Sequence, residues 1–458
     1  MPLPSEEPIL RIGCGSGFSG DRIDAPIPVV AALARLGGPA ALMLECLGER
    51  TLALAQGERL KNPEHGYEPM LEALLRPILR TCREHRISVV TNGGAANPRA
   101  AARAVLRLAA ELGIEGLRVA AVVGDDVRGT DALDDLAPWE GEPGAVMEKE
   151  KVIAANVYLG ARPIAAALRD GAEVVITGRC SDPALALGPM IAHFGWAEDD
   201  WDRLAAGTAC GHLLECGSQV TGGYFADPGV KDVSGMAEIG FPIAEIDAEG
   251  GFTITKPEGT GGLVDLRTVK EQLLYEIHDP AAYLTPDVVL DITGVELEQE
   301  GPDRVRVRGC RGRPRPERLK ATVSFPGGWL GEGEISYAGP NARARAELAG
   351  RTLLERARNL GLEGRARLDL IGVASVHEGD SGALRGERRD EPAEVRLRLS
   401  LATEARAPAE RATREVLALL CCGPAGGGGA RMRVVDRVRT LSFLVPRERV
   451  HPVVEFVA

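Results

Sequence analysis

The stretch Ile87-Ser-Val-Val-Thr-Asn-Gly-Gly-Ala-Ala-Asn-Pro-Arg-Ala-Ala-Ala-Arg-Ala-Val-Leu-Arg-Leu-Ala-Ala-Glu-Leu-Gly113 holds one complete unit of the fold. Residues 87–92 form a short apolar, β-branched run of the kind that builds a strand buried on both faces. Asn97 is placed to cap a helix over 98–112, Pro98 suits its first position, and Gly113 ends it. Strand, glycine turn and capped helix in that order make a β-α unit of a parallel sheet.

Working outward, the same alternation predicts strands over 10–13, 41–45, 117–124 and 172–178, and a helix over 68–85. The N-terminal part is therefore expected to be α/β, with a doubly wound, mostly parallel sheet. Residues 205–262 are rich in glycine and aromatics without a clear period and predict ordered, functional loops. A helix follows over 264–277. Beyond Pro286 the order changes to strands over 288–297, 304–307 and 320–325, a helix over 342–360, strands over 368–373 and 395–401, a helix over 409–421, a glycine loop over 423–429 and a strand over 438–445. That succession predicts an α+β two-layer second domain, so the expected domains are 1–283 and 284–458.

Composition narrows the function. The chain has 458 residues, 45% hydrophobic and 26% charged, which excludes a disordered or low-complexity polymer. Its formal charge of -12 argues against nucleic acid as a partner, since phosphate affinity rests on clustered Lys and Arg. Lysine is scarce, seven residues against 47 arginines, and the arginines are interspersed with Asp and Glu. No run of 18 apolar residues occurs, and the start has no signal-peptide pattern, so no membrane partner and a cytoplasmic location are expected. The nine cysteines are odd in number and lack a C-x-x-C pair, as expected of reduced thiols.

Candidate chemistry lies where each early strand ends. In a parallel sheet those ends share one edge, and ligands bind outside it. Strand one runs into Gly15, Ser16 and Gly17, strand two into Glu45, strand three into Asn92, Gly93, Gly94 and Asn97, strand four into Asp125 and Asp126, and strand five into Arg179 and Asp182. Gly15-Ser-Gly-Phe-Ser-Gly20 matches G-x-G-x-x-G, with Glu45 available for a ribose. Against a nicotinamide site, Asp24 and Pro26 put the helix start several residues later, so a tight turn or a phosphate or thioester contact remain open. Asn92-Gly-Gly94 and Asn97 can offer backbone N–H groups to an anion, or form only a capped turn. Asp125 and Asp126 suit metal binding, acid–base work or only a surface turn. His212 and Glu215, three apart on a helix, suit a base and its orienting carboxylate. Lys256 sits in a glycine-rich segment able to form a substrate wall. No zinc-ligand spacing, serine nucleophile elbow or P-loop is present, so no metal and no bound cofactor are expected.

Arg11-Ile-Gly-Cys-Gly-Ser-Gly-Phe18, Thr91-Asn-Gly-Gly94 with Asn97-Pro98, Ile176-Thr-Gly-Arg179 with Ser181-Asp182, Gly211-His-Leu-Leu-Glu-Cys216, Gln219-Val-Thr-Gly-Gly-Tyr-Phe225, Lys256-Pro-Glu-Gly-Thr-Gly-Gly262 through Gln272-Leu-Leu-Tyr-Glu276, and Gly331-Glu-Gly-Glu-Ile-Ser-Tyr337 occur in this order. Together they resemble the acyclic terpene utilisation proteins of the AtuA type over nearly the whole chain. The resemblance implies work on branched acyl-CoA or carboxylated acyl substrates, with coenzyme A entering only as part of the substrate. Hydration, dehydration or carbon–carbon cleavage is the expected chemistry, and a homo-oligomer the expected assembly. The resemblance transfers no catalytic residue, so Glu45, Asp125, Asp126, His212 and Glu215 remain the candidates for proton transfer read from the residues themselves. Many family members look as though they continue into a small ferredoxin-fold domain. Such a domain acting as a separate partner would make this chain a non-catalytic or scaffold subunit, a second expectation; an NAD(P)-dependent oxidoreductase, resting on the glycine motif, is a third.

Overall fold

The computed structural model describes residues 9–139, 148–373, 375 and 392–458. Five short runs that are almost wholly buried form parallel strands: β1 (Leu10–Gly17), β2 (Ala40–Glu45), β3 (Ile87–Thr91), β4 (Val119–Val123) and β5 (Val174–Thr177). They lie in the order β1-β2-β3-β5-β4. β2 reads Ala-Ala-Leu-Met-Leu-Glu, apolar on both faces, because both faces are covered. Leu42 and Leu44 enter a core with Val29 and Leu33 of helix Pro26–Leu36 and with Val105 and Leu108 of helix Pro98–Glu111. Helices Ala184–Phe194 and Trp201–Glu215 also pack on β1 and β2. The doubly wound α/β arrangement is thus present.

Local signals act largely as read. Asn97 Oδ1 accepts from Ala100 N at 3.3 Å, with Pro98 opening the helix. The helix after β1 does begin at Pro26, but Ala25, not Asp24, is its N-cap. The helix expected over 68–85 is two, Leu71–Leu75 and Leu79–His85, because Pro77 has no N–H to give the ladder between them. The loop region expected from 205 begins instead inside helix Trp201–Glu215. This helix is buried almost all round, which erases the amphipathic period. A Cβ on Gly211 would lie 2.5 Å from Pro183 O, so glycine there permits close contact between helices.

The chain forms two compact units, residues 1–324 with 440–458, and residues 325–439. The boundary expected near 283 falls inside the first. Strand Arg304–Arg308 pairs with Phe252–Thr255, which continues through Ile243–Ile246 to β1. Val453–Val457 pairs antiparallel with β4 at the opposite edge. The result is a ten-stranded mixed sheet with a parallel centre. Inter-strand hydrogen bonding, invisible to local patterning, draws these later strands into the first unit.

The second unit is a two-layer α+β structure. Antiparallel strands Arg365–Ile371 and Glu394–Thr403 join the part of Arg318–Ala338 beyond Ser324. The alternate residues Val395, Leu397, Leu399 and Leu401 turn one face to helices Ala342–Asn359 and Arg406–Cys422. Among the described residues no helix is long and apolar enough to cross a membrane.

The Gly94 site tests the packing at the strand ends. A Cβ there would lie 2.5 Å from Thr177 O and 2.9 Å from Pro98 Cα. Gly94→Ala is expected to destabilise by about 1–3 kcal/mol, as overpacking does. Gly57→Ala, in the open interior of helix Glu49–Lys61, should instead stabilise by about 0.5–1 kcal/mol. Urea denaturation midpoints of the two variants check the opposite signs.

Candidate functional site

The parallel strands deliver their C-terminal residues to one edge, where a single hydrogen-bonded network gathers them. Glu45 Oε1 accepts from Leu47 N at 2.7 Å and from Asn92 Nδ2 at 2.9 Å. Asn92 Oδ1 accepts from Cys46 N at 2.7 Å, and Nδ2 also reaches Asp182 Oδ1 at 3.4 Å. Arg179 Nη2 donates to both Asp182 oxygens, at 2.8 and 2.9 Å, and Nη1 donates to Leu47 O. The Arg179 backbone N–H and Asn156 Nδ2 both donate to Asp125 Oδ2 at 2.8 Å. Ser16 Oγ donates to Glu45 O at 2.8 Å and ties β1 to the end of β2.

Arg179 is 2% exposed, the one fully buried Lys or Arg among the described residues. Its guanidinium carbon lies 4.2 Å from the centre of the Tyr158 ring, and Lys320 Nζ lies 4.6 Å from the same ring. The Tyr158 hydroxyl donates to Glu49, which also holds Lys320 at 3.3 Å. Burial opposes ionisation of Glu49, but Tyr158, Arg179 and Lys320 overcome it and lower its pKa to about 2.

The other acids move upward. Burial and then the neighbouring Asp182 push Glu45 to about 8, against its hydrogen bonds from Asn92 and Leu47. Burial lifts Asp125 to about 6 and also raises Asp182, which Arg179 pulls the other way. Glu215 is raised by burial, then by the charges of Asp182 and Glu276. One buried cation thus faces an excess of carboxyl groups, so some hold protons near neutral pH. Groups poised in this way can both take and return a proton.

Asp182 opens this network to solvent, its side chain being 31% exposed. It lines a cleft of ≈ 260 Å³ with Tyr158, Ser181, Tyr283 and Lys320. Leu284, Pro286, Leu319 and Leu444 supply apolar wall.

Of the expected residues, the structure brings together Ser16, Glu45, Asn92, Asp125, Arg179 and Asp182, and Glu215 lies close enough to feel the charges of Asp182 and Arg179. His212 and Glu215 do share a helix face, with 2.9 Å between Nδ1 and Oε1. Both are buried, and burial lowers His212 to about 4. Asp126 has separate partners, Arg59 at 3.4 Å and the Arg128 N–H. Lys256 is not at this edge: it holds Thr260 O at 2.9 Å and Asp303 at 3.2 Å. Asn97 Nδ2 pins the carbonyls of Pro63 and His65, and the Gly93 N–H is spent on Thr91 Oγ1.

The glycines that end β1 are required by protein packing. A Cβ on Gly15 would lie 2.7 Å from Pro26 Cβ, and one on Gly17 would lie 2.4 Å from Cys216 C and Gly217 N. The Gly17 N–H donates to Asp21 Oδ2. The following helix starts only at Pro26, so this segment does not form the glycine-turn and helix N-terminus that cradle a pyrophosphate. A nicotinamide dinucleotide does not fit here.

Sequence reasoning missed Tyr158, Lys320, Glu49, Asn156 and Tyr283. The scarcity of lysine was the one signal that could have singled out Lys320.

The model of the acyclic terpene utilisation family protein AtuA matches residues 10–456. The chain belongs to the AtuA family. No curated protein matches it in sequence. In this AtuA family member, Arg179, Ser181 and Asp182 of the Ile176–Asp182 segment all stand at the strand-end site.

The acid cluster predicts a pH dependence of stability. Glu45, raised from 4.5 to about 8 in the folded state, contributes stability that is full below pH 4.5 and is lost as pH rises through 8. His212, lowered from 6.5 to about 4, has the opposite sign and acts only as pH falls below 6.5. The melting temperature should therefore fall between about pH 6.5 and 8.5, and Glu45→Gln should flatten that fall. Calorimetry of both proteins across that interval checks it.

Proposed function

We propose that this protein is an enzyme that moves protons on a branched acyl substrate, either a coenzyme A thioester or a carboxylated acid. Support comes from a partly exposed carboxylate, Asp182, standing in a cleft with apolar walls and joined to a buried, proton-holding cluster. Hydration, dehydration and cleavage of a carbon–carbon bond beside a carbonyl all require a group that takes or returns a proton on carbon. Asp182 is placed for that role because it lines the cleft, whereas Glu45 and Asp125 are buried behind it. Lys320 and Ser181, on the same cleft, suit the substrate's carbonyl or carboxylate oxygen, where negative charge develops. Leu284, Pro286 and Leu319 suit a branched hydrocarbon. Glu45 acts indirectly, by holding Asn92 against Asp182 and by setting the charge of the cluster.

The test is turnover of a panel of branched, unsaturated and hydroxylated acyl-CoAs and their free acids. Asp182→Asn should lower kcat/KM at least about 100-fold, the scale of a lost general acid–base group, with an unchanged circular dichroism spectrum. Retained activity in a folded Asp182→Asn protein, or no turnover of any member of the panel by the wild type, contradicts the proposal.

A further inference from the structure

A second and larger cleft, of ≈ 490 Å³, lies beside the end of β2 and is not used by the reading above. Its volume falls within the roughly 300–1,000 Å³ usual for small-molecule sites. Leu47, Leu54, Ala55, Tyr67, Pro69 and Ala95 form its apolar wall. Leu47 and Ala95 belong to a small core with Leu52 and Ala96, so that wall is built on packed structure.

The polar end is acidic. Glu68 is 5% exposed; its Oε2 accepts from Ser19 Oγ at 2.6 Å and its Oε1 from Met70 N at 3.0 Å. Each carboxylate oxygen retains capacity for a further donor. Glu58, also on the cleft, is paired with Lys61 at 2.8 Å. No lysine or arginine lines the cleft among its described residues. A ligand carboxylate or phosphate brought beside buried Glu68 would meet the Glu68 and Glu58 carboxylates, with His65 the only lining side chain able to carry a positive charge.

We infer that this cleft is a second ligand site, one that takes an aliphatic molecule whose head donates a hydrogen bond to Glu68 and carries no negative charge. Both an alcohol and an alkylammonium satisfy that chemistry. The site also bears on the acid cluster, because Cys46 and Leu47 line the cleft while their backbone groups are held by Asn92, Glu45 and Arg179.

The probes are 1-octanol, octylamine and octanoate, titrated calorimetrically into the full chain. Saturable binding of octanol, octylamine or both is expected, and the two arms show whether the head is neutral or cationic. Octanoate should bind at least about tenfold more weakly, and Glu68→Gln should narrow that gap. Ala55→Trp, which fills the cleft, should abolish binding. Independently of any variant, hydrogen exchange of the wild type with the bound probe should slow within residues 46–69. Absence of saturable binding by octanol and octylamine, octanoate binding as tightly as either, a folded Ala55→Trp protein that still binds, or protection confined to other segments overturns the inference. Binding is read without turnover, so its failure is distinct from failure of the acyl-substrate reading.

Discussion

Arg179 spans the carboxyl ends of three parallel strands by itself. Its guanidinium donates to Asp182 and to the carbonyl of Leu47 beyond β2, while its backbone N–H donates to Asp125 beyond β4. A buried cation is costly unless it is paired and its donors are satisfied, and Asp182 together with the Leu47 carbonyl meets much of that demand. The converse constraint is stronger. Glu45, Asp125, Asp182 and Glu215 lie in the same region, and Arg179 lowers the pKa of Glu45, Asp182 and Glu215, so without it their ionised forms would have no buried counter-charge. The rest of the site depends on this one side chain.

That arrangement links packing to chemistry. Strand-end glycines such as Gly17 and Gly94 bring backbone segments too close together for a Cβ, which seats Ser16 and Asn92 where they can reach Glu45. The carboxyls are then held in surroundings that favour their protonated forms, and Asp182 carries that charge balance to the cleft surface. Tyr158, stacked near both Arg179 and Lys320, joins the buried cation to Lys320 on the cleft. In this member of the AtuA family the acid cluster and the cleft lined by Asp182 are therefore parts of one structure.

Much of the frame was legible from local patterning. The five parallel strands were readable as short apolar runs, and Asn97-Pro98 marked its helix start because capping is a local interaction. Glu45, Asn92, Arg179 and Asp182 could be nominated together because parallel topology puts successive strand ends on one edge. What failed was non-local. Helix Trp201–Glu215 has no polar face to reveal it, and the late strands 304–308 and 453–457 join the first sheet by hydrogen bonds to distant segments. The glycine motif stayed open between a tight turn and a ligand contact because spacing does not show whether a missing Cβ makes room for a ligand or for Cys216 and Gly217. Lys256 was nominated for its glycine-rich segment, yet Asp303, 47 residues away, claims it, while Lys320 arrives at the site from a strand far along the chain.

Whether the Arg179–Asp182 pair holds the strand-end site together is decided by a double-mutant cycle read in chemical denaturation. Arg179→Met should cost about 3–5 kcal/mol when Asp182 is present, the scale for breaking a buried pair, and markedly less in an Asp182→Asn background. Equal costs in the two backgrounds would show that the residues act independently and would contradict the account.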